Sequence, residues 1–524
     1  MSRASAQARP EISGPPAAPS AAPAGRAGRG DVAGPLWLCL GLPRLPLEAR
    51  GIWAGEDRQC VVIGSDGRVV QASDAAVLAG VTTGLPLNAA LALCPGMVAL
   101  ARDEAAEAAA LARLAAWAGA FTSMVSLAPP AALLLEVRGS LRLFGGLAPL
   151  RERLRCALAR TGHAGRDAVA PTPLAALWLA RAGELDAVVE PASLAGRLGR
   201  LRPVVTAWPK ATLEKLQSLG VETLADCLRL PRDGFARRIG RGPLADLDRA
   251  LGRLADPRPA FRLPPRYHAE IELPAETDDT ARLARVAEGL FAALEGFLRA
   301  RQRAVTRIVV RFRHLGRAPS TLGIGLAAPG LEAARFTALF IARLERLVLP
   351  APVISLSVEA EPGEALVPAR AGLFGDEPDS AAGLQLVERL RARLGRAAVQ
   401  GLALGDDHRP EAAWAVREPA NGSWQAAASG ARGEAVVLPQ APRPHWLLDP
   451  PRRLRSRGGR PWHEGELVLE RGPERIETGW WDGQGIARDY WVARTPAGAR
   501  LWVYRERQAA ADARPQWFLH GVFG

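Results

Sequence analysis

Strand-like and helix-like segments alternate over residues 35–195, and this alternation constrains the fold more than any other feature of the sequence. Residues 60–70 contain two β-branched runs around an Asp-Gly turn, which predicts a β-hairpin. Residues 104–121 and 147–161 have the composition and period of helices, whereas residues 133–137 form an apolar, strand-like run. Alternation of this kind predicts strands packed against helices in an α/β sandwich.

The length and the charge of the chain bound its class. A chain of 524 residues is too long for one ordinary core and predicts three to five domains. Its hydrophobic share of 48% and charged share of 23% are typical of globular proteins. A net charge of +13 favours an anionic partner, in the first place a nucleic acid, although an Arg-rich compositional habit would give the same charge.

The cysteines and the apolar runs indicate the cellular compartment. The five cysteines lie far apart without zinc spacing, and their odd number argues against a secreted disulfide scaffold. The sequence has no charge-free apolar run of about 18 residues, so we expect no membrane partner and a cytoplasmic location. Residues 1–34 are rich in Ala, Pro, Gly and Ser, which predicts a disordered tail and not a signal peptide.

Residues 196–260 predict a second, helical unit. The turn at Gly220 and Val221 separates two helical runs, and a helix-hairpin-helix of this kind presents backbone N–H groups to a DNA phosphate. The candidate DNA-binding arginines that follow are Arg237, Arg238 and Arg241. An ordinary αα-hairpin without nucleic-acid contacts is the alternative.

Residues 265–362 predict a sheet backed by two helices. On one strand, period-two alternation separates an apolar set of side chains from a basic set. The apolar set is Ile308, Val310 and Phe312, and the basic set is Arg307, Arg311 and Arg313. We expect the arginine face to lie along a phosphate backbone, with a merely solvated face as the alternative.

The C-terminal part of the chain is rich in tryptophan. Residues 363–382 predict a linker, residues 383–461 a short helix and an irregular basic region, and residues 462–524 a partner-binding domain. Nine of the fourteen tryptophans lie from Trp414 onward, which indicates a folded or partner-bound end. Tyr, Trp and Arg are favoured at interface hot spots, but they serve equally in the core of a small β domain. The candidate partner-binding residues are Trp480, Trp481, Arg488, Tyr490, Trp491, Trp502, Trp517 and Phe518.

Several motifs resemble one family of proteins. Residues 36–48 resemble the first strand and turn of a Y-family (translesion) DNA polymerase, and residues 79–95 resemble its fingers. Residues 143–146, 407–411 and 472–521 are similar to the ImuB-like branch of that family. The resemblance extends from the first of these motifs to the C-terminus.

The resemblance implies an α+β multidomain fold. A palm with fingers would span residues 35–195, with the fingers at about residues 56–100. A helix-hairpin-helix thumb would follow at residues 196–260, and an α/β little-finger domain at residues 265–362. A small, Trp-rich, β-containing domain would complete the chain.

The resemblance also identifies chemistry that this sequence lacks. The first metal-binding Asp of the family falls on Cys39, and the Asp and Glu of its second signature fall on Ala131 and Ala132. Another register moves the last two positions to Ala128 and Pro129, which are equally non-acidic. A two-metal site needs clustered carboxylates to hold Mg²⁺. We therefore expect neither a bound metal nor another cofactor.

The triphosphate clamp of the family, Tyr-x-x-Arg, falls on Asp74 and Val77, which would repel or ignore a triphosphate. The sequence offers no nucleophile set, zinc spacing or Walker A loop in its place. The resemblance therefore implies a pseudoenzyme. An active polymerase with atypical metal ligands, drawn from Glu48, Asp57 and Glu136, is the alternative.

The function that the resemblance implies is a non-catalytic hub of a bacterial, SOS-induced mutagenesis complex, associated with the nucleoid when it is on DNA. Its implied partners in translesion synthesis are DNA, the sliding clamp, a DnaE-like error-prone polymerase and a RecA-like accessory protein. The clamp-binding peptide of the family has a degenerate counterpart at Leu373 and Phe374, where Arg370 and Ala371 replace its Gln and first Leu. A DNA-binding module without repair partners is a further hypothesis.

Overall fold

The computed structural model describes most of the chain after its N-terminal tail. The described residues are 34–363, 365, 380–395, 397–405, 407–417, 442–507 and 516–524. The tail before residue 34 and the candidate clamp-binding residues Leu373 and Phe374 lie outside these ranges.

The first part of the described chain forms a palm and a fingers unit. The strands are β1 (Trp37–Gly41), β2 (Cys60–Ile63), β3 (Val69–Ala72), β4 (Val98–Ala101), β5 (Met124–Ala128), β6 (Ala132–Glu136) and β7 (Arg166–Ala170). The helices are α1 (Leu45–Glu48), α2 (Asp74–Leu78), α3 (Leu87–Leu93), α4 (Glu104–Ala118), α5 (Leu141–Phe144), α6 (Leu147–Arg160) and α7 (Pro173–Ala182). The palm sheet is antiparallel with strand order β5-β6-β1-β7, and the fingers sheet has the order β3-β2-β4.

Both faces of the palm sheet are buried. Leu38 and Leu40 of β1 point to the face that α4 and α6 cover, whereas Trp37 and Cys39 point to the face that α7 covers. A strand with helices on both sides needs apolar residues at every position, which explains the unbroken apolar run at residues 36–40. The strand-and-helix sandwich predicted from the sequence is confirmed.

Residues 191–250 form a thumb of short helices packed on the palm. These helices are α8 (Pro191–Gly199), α9 (Lys210–Ser218), α10 (Leu224–Arg229), α11 (Arg232–Arg238) and α12 (Arg241–Ala250). Trp178 of α7 meets Trp208 of the thumb edge to face, with 6.1 Å between the ring centroids. The Thr172 hydroxyl donates to the carbonyl of Ala250 at 2.7 Å. The palm face that carries Cys39 therefore shares one core with the thumb.

Residues 267–360 form the little-finger domain. Its elements are β8 (Tyr267–Thr277), α13 (Thr280–Arg301), β9 (Val305–His314), β10 (Arg317–Gly330), α14 (Ala333–Leu344) and β11 (Val353–Ala360). The sheet is antiparallel with strand order β10-β9-β11-β8, and α13 and α14 cover one of its faces. Ile308, Val310 and Phe312 are fully buried on that face, as the period-two alternation predicts.

Helix α13 is buried on all sides from Gly289 to Leu298, because it packs between the little-finger sheet and the palm helix α4. The two helices approach at backbone distance, since a Cβ atom on Gly296 would lie 2.3 Å from Cδ1 and 3.0 Å from Cα of Trp117. Beside this contact, Arg160 of α6 donates to the Glu295 carboxylate at 2.8 Å, and Glu295 also accepts the Ala333 N–H at 3.0 Å. Glu295 thus joins the palm to both helices of the little finger.

Helix α15 (Ser380–Leu394) extends the little finger. It packs on α14 and β10, and its buried Glu388 accepts a hydrogen bond from Arg335 at 2.9 Å. Strands β12 (Gly401–Leu404) and β13 (Trp414–Arg417) then form a two-stranded sheet. Among the described helices, none is both long and apolar enough to cross a bilayer.

The C-terminal domain is a five-stranded antiparallel sheet with an added hairpin. Its strands are β14 (Trp446–Arg453), β15 (Arg455–Arg457), β16 (Arg460–Trp462), β17 (Val468–Thr478), β18 (Ile486–Arg494), β19 (Arg500–Glu506) and β20 (Trp517–Val522). The sheet order is β14-β20-β19-β18-β17, and β15 pairs with β16 alone. This sheet begins inside the segment that the sequence predicts to be irregular. Strand β14 was not predicted because Asp449, Pro450 and Pro451 interrupt its alternation of apolar and polar residues. They lie where the register between β14 and β20 shifts.

Replacement of Gly296 by alanine tests the contact between α13 and α4. The new methyl group would overlap the backbone as well as the ring of Trp117, so one helix would have to move. We expect Gly296→Ala to lower the free energy of unfolding by about 1–3 kcal/mol, the usual cost of overpacking, in chemical denaturation of the full chain.

The matched control is Gly196→Ala in α8, where an added Cβ atom meets nothing within 4 Å. Because alanine is more favourable than glycine in a helix interior, Gly196→Ala should raise the free energy of unfolding by roughly 0.5–1 kcal/mol. Two variants of equal stability would contradict the close approach of the helices.

Candidate functional site

A pocket of about 260 Å³ lies at the end of β1, on the palm face that α7 covers; we call it the β1 pocket. Apolar side chains, including Leu42 and Leu177, form much of its wall. Sequence positions predicted to have lost carboxylates also line it, namely Cys39, Ala128, Ala131 and Ala132. The two charged side chains of the lining are Arg166 and Arg181, which the sequence analysis did not single out.

The register of the palm strands explains why these positions meet. Gly41 lies opposite Ala132, which in turn lies opposite Ala128, and Cys39 lies two residues before Gly41 on the same face. Both alignments of the family's Asp-Glu signature, on Ala131 and Ala132 or on Ala128 and Pro129, therefore place it at the same end of the sheet. The structure brings Cys39, Ala128, Ala131 and Ala132 together at one site.

The β1 pocket has the wrong electrostatics for a magnesium site. Cys39 is fully buried, and burial raises the pKa of its thiol to about 12, so the side chain is neutral. Arg181 donates to the backbone carbonyls of Val205 and Thr206 at 3.2 and 3.3 Å, and Arg166 is exposed. Within the described ranges, no group of three or more His, Cys, Asp or Glu is placed to hold a metal ion.

The carboxylates named as alternative ligands lie away from the pocket lining. Glu136 sits at the opposite end of β6 from Ala132, and its carboxylate accepts the N–H groups of Leu36 and Arg138. Buried Glu48 accepts the Ala164 N–H at 2.9 Å. Asp57 is exposed in the loop before β2. Two of these carboxylates thus accept backbone N–H groups.

The positions of the degenerate triphosphate clamp lie on α2. Val77 is 52% exposed. Asp74, in the first turn of the helix, pairs with Arg44 and accepts the Gly55 N–H at 3.1 Å. Because of the hydrogen bond from Arg44, the pKa of Asp74 lies below its usual value. The expected repulsion of a triphosphate by Asp74 is therefore offset by a neighbouring cation.

The thumb presents its predicted DNA-binding residues at two helix junctions. Gly220 adopts a positive φ of 71° between α9 and α10, and Val221 is buried beside it. Around the junction of α11 and α12, three arginines are exposed and have no carboxylate partner in the described part of the chain. They are Arg237, Arg238 and Arg241.

The arginine face of the little-finger sheet is less basic than its sequence suggests. Arg311 pairs with Glu359 of β11 at 2.9 Å. Arg313 donates to the Ser355 hydroxyl at 2.9 Å and lies 3.6 Å from Glu270 of β8. Arg307 is the member of the set without a carboxylate partner among the described residues. The neighbouring strands bring acids that alternation within β9 alone does not reveal.

The candidate partner-binding residues divide between the core and the surface of the C-terminal domain. Tyr490, Trp502 and Trp517 are buried, and Tyr490 stacks on Trp502 with 4.1 Å between ring centroids. Trp491 and Phe518 are half-buried, and Arg488 is held by Glu411 at 2.9 Å. Trp480 and Trp481 are 76% and 60% exposed, which makes them the protruding pair.

A motif of the sequence, residues 407–411, holds the turn that carries this tryptophan pair. Arg409 binds the Asp407 carboxylate at 2.6 Å and the Asp482 carboxylate at 2.7 Å. Trp480 and Trp481 immediately precede Asp482, and their rings meet edge to face at 4.8 Å. The ion pair of Arg409 and Asp482 therefore fixes the exposed Trp480 and Trp481. Sequence spacing does not predict this ion pair, because its two residues lie far apart along the chain.

Most of the chain is similar to known proteins. The impB/mucB/samB family model matches residues 56–181, which lie in the palm and fingers. The chain is 30% identical over 459 residues to Protein ImuB of Caulobacter vibrioides, in strains NA1000 and ATCC 19089 alike, and the match covers 83% of this chain and 98% of that protein. The chain belongs to the ImuB family.

Among solved structures, this ImuB-family chain is similar to a Y-family DNA polymerase chimera of Dbh and Dpo4, with a TM-score of 0.37 and 16% identity. The match covers 62% of this chain and 98% of that chain. DinB from Sulfolobus solfataricus gives a TM-score of 0.35, 16% identity and the same two shares.

The buried Glu48 predicts a pH-dependent stability in this family member. Burial raises the pKa of the Glu48 carboxyl group to about 7, above its value in an unfolded chain, so the folded state releases this proton at a cost. The free energy of unfolding therefore carries no such cost below about pH 4.5, falls as the pH rises, and carries the full cost above pH 7. We expect Glu48→Gln to be more stable than the wild type at pH 8, by at most about 3 kcal/mol, in denaturant titrations.

The stability difference between Glu48→Gln and the wild type should shrink steadily as the pH falls to 5. Glu190→Gln, at an exposed carboxylate, serves as the control for amide replacement. A difference that stays constant between pH 5 and pH 8 would contradict the buried, protonatable carboxyl group.

Proposed function

We propose that this ImuB-family chain is a non-catalytic, polymerase-like scaffold of a DNA-damage-induced mutagenesis complex. The observation that carries the proposal is the β1 pocket. Its degenerate positions, including Cys39 and Ala132, meet at one end of the palm sheet, and its charged residues are Arg166 and Arg181. A nucleotidyl-transfer site at this place would need carboxylates to bind two divalent cations.

The charge balance of the pocket supports the loss of catalysis. Two-metal catalysis requires acidic ligands that offset the cations and orient the triphosphate. A neutral thiol and alanine methyl groups supply no ligand, and a guanidinium repels Mg²⁺. Loss of the whole ligand set lowers the rate more than loss of one ligand would.

Contact with DNA is the first scaffold property that we propose. Arg237, Arg238 and Arg241 are free to bind phosphates, since no carboxylate of the described chain competes for them. The Gly220 turn would present backbone N–H groups to another phosphate. On the little finger, Arg307 would contribute more than Arg311 and Arg313, which are already paired.

Assembly with other proteins is the second scaffold property. The family resemblance implies the sliding clamp, a DnaE-like error-prone polymerase and a RecA-like accessory protein as partners. The exposed Trp480 and Trp481 are suited to such contacts, because large aromatic side chains dominate interface hot spots. The Arg409–Asp482 pair holds them in one geometry, which lowers the entropy lost on binding. The scaffold would act in the cytoplasm at the nucleoid.

Primer extension tests the absence of catalysis. Purified full-length chain with a primer–template, deoxynucleotides and Mg²⁺ or Mn²⁺ should incorporate nothing above the protein-free background. An activity that copurifies with the chain and disappears in Glu136→Ala or Glu48→Gln would contradict the scaffold proposal. It would favour instead a working translesion polymerase with atypical ligands.

Substitution of the tryptophan pair tests the assembly role. Trp480→Ala/Trp481→Ala should weaken binding of the DnaE-like or RecA-like partner roughly thirtyfold or more, the effect of losing an interface hot spot, in surface plasmon resonance. Both side chains are exposed, so the fold should persist.

Trp446→Ala is the matched control, because Trp446 is 72% exposed in the same domain but at the start of β14. It should leave the binding of the protein partners unchanged. Equal affinity of the double variant and the control for both partners would contradict a docking role of the pair.

A further inference from the structure

The hairpin of β15 and β16 stands apart from the main C-terminal sheet. Gly458 and Gly459 form its turn with φ values of 57° and 81°, a left-handed pair that other residues adopt only with strain. In this register Arg455 lies opposite Trp462, and Arg457 lies opposite Arg460. The hairpin is thus a short, tightly turned projection of the domain.

One face of the hairpin concentrates positive charge beside an aromatic ring. Opposed residues of an antiparallel pair share a face, and so do residues two apart on one strand. The face consists of Arg455, Arg457, Arg460 and Trp462. On the opposite face, Pro461 is buried against the domain.

The arginines of this face are poorly neutralised. Arg460 pairs with Glu466 at 2.7 Å. Arg455 and Arg457 are exposed and have no carboxylate partner within the described ranges, and the same holds for Arg452 and Arg453 at the end of β14. Between Asp449 and Glu464 the sequence contains no acid at all. The hairpin and the adjoining strand end therefore form a continuous cationic strip.

The hairpin is fixed to the domain core. The indole N–H of Trp517 donates to the Gly459 carbonyl at 3.1 Å. The Leu454 N–H donates to the Trp517 carbonyl at 2.8 Å, and the Leu467 N–H donates to the Pro461 carbonyl at 3.1 Å. A strip held in this way loses little conformational freedom when it binds a ligand.

An aromatic ring and a depression accompany the cationic strip. The Arg457 guanidinium lies 4.2 Å from the ring centroid of Trp462. A second aromatic side chain, Trp446, is 72% exposed at the end of β14 that lies away from the hairpin. An open depression of about 610 Å³ is lined by Arg453, Arg455, Arg457 and Trp517, among others. Basic grooves flanked by aromatic rings are how proteins bind single strands without sequence preference.

We propose that this hairpin strip binds single-stranded DNA, with Arg455 and Arg457 on phosphates and Trp446, at the other end of β14, stacked on a base further along the same DNA strand. The inference deepens the proposed scaffold function and rests on it, since it adds a single-strand contact to the duplex contact of the thumb. Guanidinium groups form paired hydrogen bonds with phosphate oxygens, and aromatic stacking favours unpaired bases over an acidic protein surface.

The test measures binding of a labelled oligothymidylate to the full chain by fluorescence anisotropy. Arg455→Glu/Arg457→Glu should weaken binding at least tenfold, and loss of two phosphate contacts should flatten the log–log salt dependence by about 1.4. Trp446→Ala should weaken it about fivefold or more. The matched control is Arg494→Glu/Arg500→Glu, which removes the same charge from arginines that pair with Glu470, and it should bind as the wild type does.

Other arms of the test separate this inference from the proposed function. Arg237→Glu/Arg238→Glu/Arg241→Glu should weaken binding of a primer–template duplex, and failure there would count against the thumb contact alone. Wild-type oligothymidylate affinity in the hairpin variant would overturn the inference and leave the thumb result standing. Equally tight, hairpin-dependent binding of polyglutamate would also overturn it, since the strip would then be a site for acidic protein.

Discussion

The burial of α13 between two layers is the packing interaction on which the arrangement of the polymerase-like part depends. Its apolar residues face the little-finger sheet on one side and the palm helices on the other. Separation of either layer from α13 would expose buried apolar side chains to water. Gly296 makes the contact possible, because a side chain there would collide with Trp117. The pair of Arg160 and Glu295 adds a polar connection at the same junction. Palm and little finger are consequently parts of one packed body.

Among the positions where the family resemblance places the acids of a two-metal site, Cys39 and Ala132 hold small, buried side chains in this chain. Cys39 and Ala132 belong to the core that the palm shares with the thumb, and they also line the β1 pocket. Small neutral side chains there avoid the repulsion between crowded carboxylates that a metal would otherwise offset. These positions therefore contribute to packing without a metal ion.

Arginine has two roles in this ImuB-family chain, and only contacts distinguish them. Arg311, Arg409 and Arg488 are engaged by acids and fix strands or turns. Arg237, Arg241, Arg455 and Arg457 carry charge outward, since no described carboxylate neutralises them. The net charge of +13 predicts an anionic partner but does not assign it to a surface. Partner contacts are therefore best sought at the thumb and the hairpin.

The sequence by itself determined the local features of this protein. Unbroken and alternating apolar runs follow from local burial, so they predicted β6, the buried set of β9 and the sandwich of the palm. The resemblance supplied the degenerate positions Cys39, Ala131 and Ala132. Strand β14 escaped prediction because its alternation is broken at Pro450 and Pro451.

Only the tertiary structure decided which side chains meet across long sequence separations. It paired Arg311 with Glu359 and Arg409 with Asp482, buried Trp502 and exposed Trp480. It also brought Arg166 and Arg181 to the β1 pocket. The physical reason is that charge interactions and burial depend on distances in space. The packing of separate elements sets these distances, and the period and composition of a single strand carry no information about them.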